Sequence, residues 1–162
     1  MLELTPTITL IAATVTSGLN AGLFYAFSCL VMPGLARTDD HTFVTAMRSI
    51  NAAIFSGWFA LSFVGAPLLT TVAAALHLVG DRRTLLPLIL AAFVFHLGTL
   101  AVTGRGNVPR NNHLAATEDV PELASAEHVR ADFEVRWNRW NHVRTLTSLA
   151  AFSGLGLALT VH

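Results

Sequence analysis

Four long apolar blocks alternate with polar segments along this chain. The run Thr7–Met32 carries no charge and exceeds the about 20 residues needed to cross a hydrocarbon core. It therefore predicts a first membrane span, stopped at Pro33-Gly34. Comparable runs over about residues 53–78, 84–102 and 143–161 predict three more. The N-terminus carries Glu3 in place of a basic region, and its apolar run is longer than that of a secretory signal, so it is expected to stay as a span. After the first span, Phe43, Met47, Ile50 and Ile54 recur at helical spacing opposite Arg48. They predict an interfacial amphipathic helix starting near His41, with Asp39 or Asp40 as its cap. Gly80-Asp81-Arg82-Arg83 reads as a tight turn that folds spans two and three into an antiparallel hairpin.

The pattern changes from Thr103 to about Asp132, where glycine, proline and most of the acidic residues collect. The segment GNVPRNNHLA has no core periodicity, and Pro109 biases Val108 toward extended backbone. Two readings stay open for it: a solvated loop, or a structured lid whose amides reach back into the bundle. A helix restarting between Pro121 and Ala126 leads into Glu134–Arg144, EVRWNRWNHVR. There Trp137, Trp140, Asn141 and Arg144 fall at i, i+3, i+4 and i+7 and share one face. The expected fold is all-α: an integral membrane four-helix bundle in a single domain over residues 1–162, with an interfacial helix and a structured loop between spans three and four. Residues 103–142 are expected outside the membrane.

Composition strengthens this reading. Hydrophobic residues make up 53% of the chain, charged residues only 12%, and the mean hydropathy is +0.57, where a soluble domain carries about 25% charge. Net charge is zero and lysine is absent, which removes the basic footprint of a nucleic-acid binder. The lone Cys29 excludes an intramolecular disulfide. Arginines divide unevenly between the two sides: Arg37, Arg48, Arg105, Arg110, Arg130, Arg136, Arg139 and Arg144 on one, Arg82 and Arg83 on the other. By the positive-inside tendency, the connections 33–52 and 103–142 are expected on the cytoplasmic side of a bacterial cytoplasmic membrane.

Candidate chemistry gathers at one mouth of the bundle. Tyr25, Ser28 and Cys29 near the end of span one, Asn51 and Trp58 at the start of span two, His96 in the later part of span three, and Trp140, Asn141 and Arg144 at the start of span four all belong to the arginine-rich side. An ionisable residue within a span is a functional candidate; the plain alternative for His96 is a neutral imidazole bonded to a neighbouring helix. Trp58 reads equally as an interfacial anchor, and Ser28 as a hydroxyl bonding backbone or another helix. His77 lies about 18 Å from the level of His96 at 1.5 Å per residue, so the two are not co-ligands. No HxxxH or HxxE pair lies within a span and no GxSxG occurs, so no metal site is assigned and no nucleophile is evident. What remains is His, Asn, Trp, Tyr and Arg around an apolar interior, a set able to bind an aromatic molecule, remove a proton and steady an oxyanion.

Four blocks, FYAFSCLVMPGL, INAAIFSGWF, NVPRNNHLA and RWNRWNHVRTLTSLAA, resemble the small membrane proteins of the anthrone oxygenase-like family. The resemblance implies oxidation of a lipophilic anthrone-like polycyclic phenol to a quinone by dioxygen, as a monooxygenase without a recognised cofactor. In that scheme His96 is the base, Arg144 with Asn141 or Asn107 steadies the enolate or peroxide oxygen, and Trp58, Trp137 and Trp140 form aromatic walls. Tyr25, Asn51, Asn111 and Asn112 complete the expected substrate-binding set. The partners are then the lipid bilayer, a hydrophobic aromatic small molecule and dioxygen, with a homo-oligomer allowed. Two other classes stay open: a non-catalytic membrane protein that binds or transports a small molecule, and a haem or metal oxidoreductase using His96 with His113 or His142.

Overall fold

The computed structural model describes residues 4–54, 57–79, 83–117 and 123–161. The first long helix comprises α1 (Leu4–Ala26), a π-helical turn Phe27–Val31 and α2 (Met32–Leu35). Next come α3 (Asp40–Ala53) and α4 (Gly57–Val79). A short 3₁₀ turn, Arg83–Leu85, opens α5 (Leu86–Val102), which continues through a second π-helical turn, Thr103–Asn107, into α6 (Val108–Ala116). The last helix, α7, runs from Leu123 to Thr160. Four helical stretches, Leu4–Leu35, Gly57–Val79, Arg83–Ala116 and Ala126–Thr160, are long and apolar enough to cross a membrane. This is the all-α, four-span bundle expected from the hydropathy pattern. In lipid, backbone groups must bond within their own segment, which is why helices take every span. The turn expected at residues 80–83 lies outside the described residues except for Arg83.

Two expected breaks are absent. The first helix does not stop at Pro33-Gly34: Pro33 sits in the first turn of α2, where its missing N–H deprives no earlier carbonyl that the π turn has not already released. Likewise Val108 is helical, at φ −58 and ψ −47, and Pro109 occupies the opening turn of α6. GNVPRNNHLA is therefore not a solvated loop but the helical continuation of span three, and its Asn107 and Asn111 amides do reach back to α7, as the structured reading expects. Each π turn ends two residues before a proline, so the ladder is re-phased where the ring would otherwise clash. Span four also merges with the helix expected before it. With 38 residues, α7 is about 57 Å long, well beyond a hydrocarbon core of about 30 Å. Its first half projects from the bundle and supports the elements packed around it.

Those elements are α3 and α6, which both pack on α7 and on each other. Asp39 caps α3, accepting from the Thr42 hydroxyl at 2.6 Å and its amide at 2.9 Å; the Thr42 hydroxyl first, then the amide, hold this carboxyl below its ordinary range. Arg130 ties α7 to the segment before α3. It donates to the carbonyls of Ala36 and Thr38 and to Asp40 and Glu134, and its guanidinium lies 4.6 Å from the Phe43 ring centre. The amphipathic face predicted for α3 is thus buried against protein: Phe43, Val44 and Met47 join Phe27, Met32, Leu114, Phe133 and Trp137 in one bulky cluster.

A second apolar cluster at the other end of the bundle is built from Leu10, Ala13, Ala73, Leu85, Ile89, Ala92, Ala151, Leu155 and Ala158. Alanines dominate it because close helix approach, rather than side-chain bulk, provides packing energy between membrane helices. Between the two clusters lies a belt of buried polar side chains: Ser17, Asn20, His96, Thr99, Asn107, Asn141, Arg144, Thr145 and Ser148.

Candidate functional site

At the upper end of this belt, α7 presents Trp137, Asn141 and Arg144 inward, as the i, i+4, i+7 spacing predicts. Arg144 is almost fully buried. Its Nε donates to Asn141 Oδ1 at 2.8 Å, and its guanidinium lies 4.3 Å from the Phe24 ring centre and 5.0 Å from that of Trp137. Asn141 is a hub. Its Nδ2 donates to the Phe24 carbonyl at 3.1 Å and to Ser28 Oγ at 2.8 Å, and its own carbonyl accepts from Thr145. The Ser28 and Thr145 hydroxyls meet at 3.1 Å. The first π turn places Ser28 here, because re-phasing the helix at Phe27–Val31 rotates that position toward α7.

The second π turn delivers the facing wall. Asn107, fully buried, donates Nδ2 to the Trp137 carbonyl at 3.3 Å, while its Oδ1 has no partner. Trp137 Nε1 donates to Asn111 Oδ1 at 2.8 Å, and the indole packs against Phe27 and Phe133. Gly106 lets Trp140 lie flat on this turn: a Cβ at Gly106 would fall 2.5 Å from two ring atoms. From α3, Asn51 is buried with neither amide atom paired. Because Asp40 meets Arg130 and Phe43 meets Phe133, α3 runs parallel to α7, and the same register places Asn51 level with Asn141.

Among the described residues no carboxylate pairs with Arg144. Burying an isolated guanidinium is costly; here two π faces and an amide oxygen take the place of a counter-ion. Asn107 Oδ1 and both amide atoms of Asn51 are buried without a hydrogen-bond partner, an uncommon state for buried polar groups.

His96 lies deeper. Span three runs on to Ala116, so His96 is nearer its middle than its mouth. It meets α1, not α7: Nε2 lies 3.0 Å from Ser17 Oγ. The Ser17 hydroxyl already donates to the Ala13 carbonyl at 2.7 Å, so its oxygen accepts and His96 Nε2 carries the proton. Nδ1 is then the lone-pair nitrogen of a neutral imidazole. One turn above, Thr99 meets Thr147 at 2.8 Å and Ser148 at 3.4 Å. Counting from that shared level, His96 is one turn below and Arg144 one turn above, about 10 Å apart along the bundle at 1.5 Å per residue.

The remaining predicted positions divide. Asn111 joins the site through Trp137, but Asn112 points to the surface. Tyr25 is 56% exposed and Trp58 83% exposed, so both face outward. Tyr25 is one residue beyond Phe24 and lies about 100° off the inner face. Asn51 and Trp58, both expected at the start of span two, belong to separate helices, because α3 ends at Ala53 and α4 starts at Gly57. Trp140 is half-buried, lying between Gly106 and the surface. Among the described residues no three His, Cys, Asp or Glu side chains could together hold a metal ion. His113 and His142 are exposed and do not approach His96. Sequence reasoning missed Phe24, Ser17 and Thr145. Ser17, Asn20 and Phe24 at i, i+3 and i+7 are a polar–aromatic stripe on α1 that would have flagged the first two.

Fold and site together define a four-span membrane protein with a buried, aromatic-flanked cationic centre. The family model described as anthrone oxygenase matches residues 55–154, a stretch holding His96, Asn107, Trp137, Asn141 and Arg144. The chain therefore belongs to the anthrone oxygenase family, which points to oxygenase-type chemistry. No curated protein and no solved structure matches it.

Proposed function

We propose that this protein oxidises a lipophilic, anthrone-like polycyclic phenol to a quinone with dioxygen, inside the membrane. The observation that carries the reading is Arg144, buried without a carboxylate partner among the described residues and held between the Phe24 and Trp137 rings. A planar phenolate or enolate supplies the negative charge that this centre lacks.

The substrate carries a methylene across the central ring from its carbonyl. His96 Nδ1 removes one methylene proton, and the electron pair moves into the ring system to leave an enolate oxygen facing Arg144. The enolate carbon donates electrons to dioxygen and forms a C–O bond, giving a peroxide anion that takes a proton from the imidazolium. The second methylene hydrogen then leaves as a proton while the O–O bond breaks and hydroxide departs. One anthrone and one dioxygen thus yield one quinone and one water. In this reading ring hydroxyls of the substrate would satisfy Asn107 Oδ1 and the Asn51 amide, both buried without a partner.

Purified protein supplied with an anthrone under air should form quinone and consume oxygen in equal amounts, faster than spontaneous autoxidation. Arg144→Gln should lower kcat/KM by about 10²–10³, the effect of removing one oxyanion donor. His96→Gln should lower kcat by about 10²–10⁴ with a smaller change in KM. Tight anthrone binding without oxygen uptake would make the chain a binding protein instead, and rates unchanged in both variants would remove the assignment.

A further inference from the structure

On the outer side of Trp140, away from Arg144, lies a groove of about 360 Å³ lined by Arg110, Arg136, Arg139, Trp140 and Val143. We propose that this groove binds the phosphate headgroup of an anionic membrane lipid, with the lipid's acyl chains running down the outer face of α7.

Charge is the first argument. Three guanidinium groups from two helices converge on one depression, and their mutual repulsion is relieved by an anion. Among the described residues only Arg136 of the three has a carboxylate partner, Asp132 at 2.9 Å, and both of those side chains are more than half exposed, where such a pair contributes little. Arg139 has no carboxylate partner among the described residues. Arg110 is anchored by Nη1 to the Gly106 carbonyl at 2.5 Å, and its Nε is buried without a partner. It is therefore a fixed donor with unused capacity, suited to the bidentate recognition of phosphate that planar guanidinium groups provide.

Position is the second argument, and it selects a lipid over a soluble anion. The groove sits where α7 leaves its projecting half: Val143 forms part of the lining, and Val143 and Leu146 are exposed to the outside. A ligand held at the arginines thus continues directly onto an apolar helix face. Trp140 supplies the amphipathic ring typical of the headgroup level. Arginines clustered beside a membrane span attract acidic lipid, each contributing about 1 kcal/mol near the surface.

The test uses the full chain in detergent, with native mass spectrometry and thermal melting. The probes are phosphatidylglycerol, phosphatidylcholine with the same acyl chains, and inorganic phosphate. The wild type should retain phosphatidylglycerol and melt higher with it, and should do neither with phosphatidylcholine. Arg136→Gln/Arg139→Gln, at two exposed positions, should bind phosphatidylglycerol about 25-fold more weakly, about fivefold for each side chain. The exposed Arg37→Gln should bind as the wild type does. Equal retention of phosphatidylcholine, or undiminished phosphatidylglycerol binding by the double variant, would overturn the proposal. Protection by inorganic phosphate equal to that by the lipid would assign the groove to a free anion and overturn it too.

Discussion

Asn141 engages four partners at once: the Phe24 carbonyl, Ser28, Arg144 and, through its own carbonyl, Thr145. Truncating it leaves the Phe24 carbonyl and Arg144 Nε unmatched in the interior, at about 1–3 kcal/mol for each group. Asn141→Ala should therefore lower the melting temperature markedly as well as slow oxidation. Asn141→Asp separates the two effects. Its carboxylate gives Arg144 an internal counter-ion, so the variant should melt above Asn141→Ala yet oxidise anthrone no faster, because the positive charge is already neutralised. If Asn141→Asp kept full activity, the idea that a substrate anion completes Arg144 would fall. The stripe containing these residues was legible in the chain from its i, i+4, i+7 spacing. That Phe24 and Ser28 complete it was not, because their approach depends on how α1 is rotated against α7.

Two π turns, each placed just before a proline, set that rotation for the first and third spans. An extra residue in the turn re-phases everything beyond it by about 100°, so Asn107 and Ser28 reach the interior while Arg105 and Cys29 stay outside. Proline read as a helix stop at Pro33 and as an extended residue at Val108, since the local rule takes no account of a ladder already re-phased upstream. The second π turn can be probed at its tightest point. Gly106→Ala would set a methyl 2.5 Å from the Trp140 ring and should destabilise the protein by about 1–3 kcal/mol, as overpacking does, with a shift in tryptophan fluorescence as the ring moves. Gly104→Ala, which meets nothing within 4 Å, should be neutral or slightly stabilising. Equal melting of the two variants would mean that Trp140 is not seated on this turn.

Across the bundle, the site is bounded by two kinds of packing: alanine contacts below and a bulky aromatic cluster above. The upper cluster depends on α3 being held against the projecting half of α7, and Arg130 links α7 to Asp40 at the start of α3 and to the Thr38 and Ala36 carbonyls just before it. Arg130→Ala should loosen α3, seen as faster proteolysis within residues 36–40 and faster amide exchange at Phe43 and Val44, while the four spans stay protected. A uniform loss of protection over all helices would show that α3 is not a separable layer. If the upper cluster holds the roof of the site, the same variant should raise KM for an anthrone more than it lowers kcat.

By itself the sequence determined the number of spans, the all-helical class, the family and the face of α7 that carries Trp137, Asn141 and Arg144. Each of these follows from local quantities: the length of an apolar run, the absence of charge within it, and the period of one helix. Tertiary structure decided what each face meets. It sent Tyr25 and Trp58 outward, seated His96 on Ser17 about two turns below Arg144, and left the Asn51 amide and Asn107 Oδ1 buried without partners. The physical reason is that a helix's pitch is set by its own backbone, whereas its rotation against its neighbours is set by packing and by π turns that no single segment reveals.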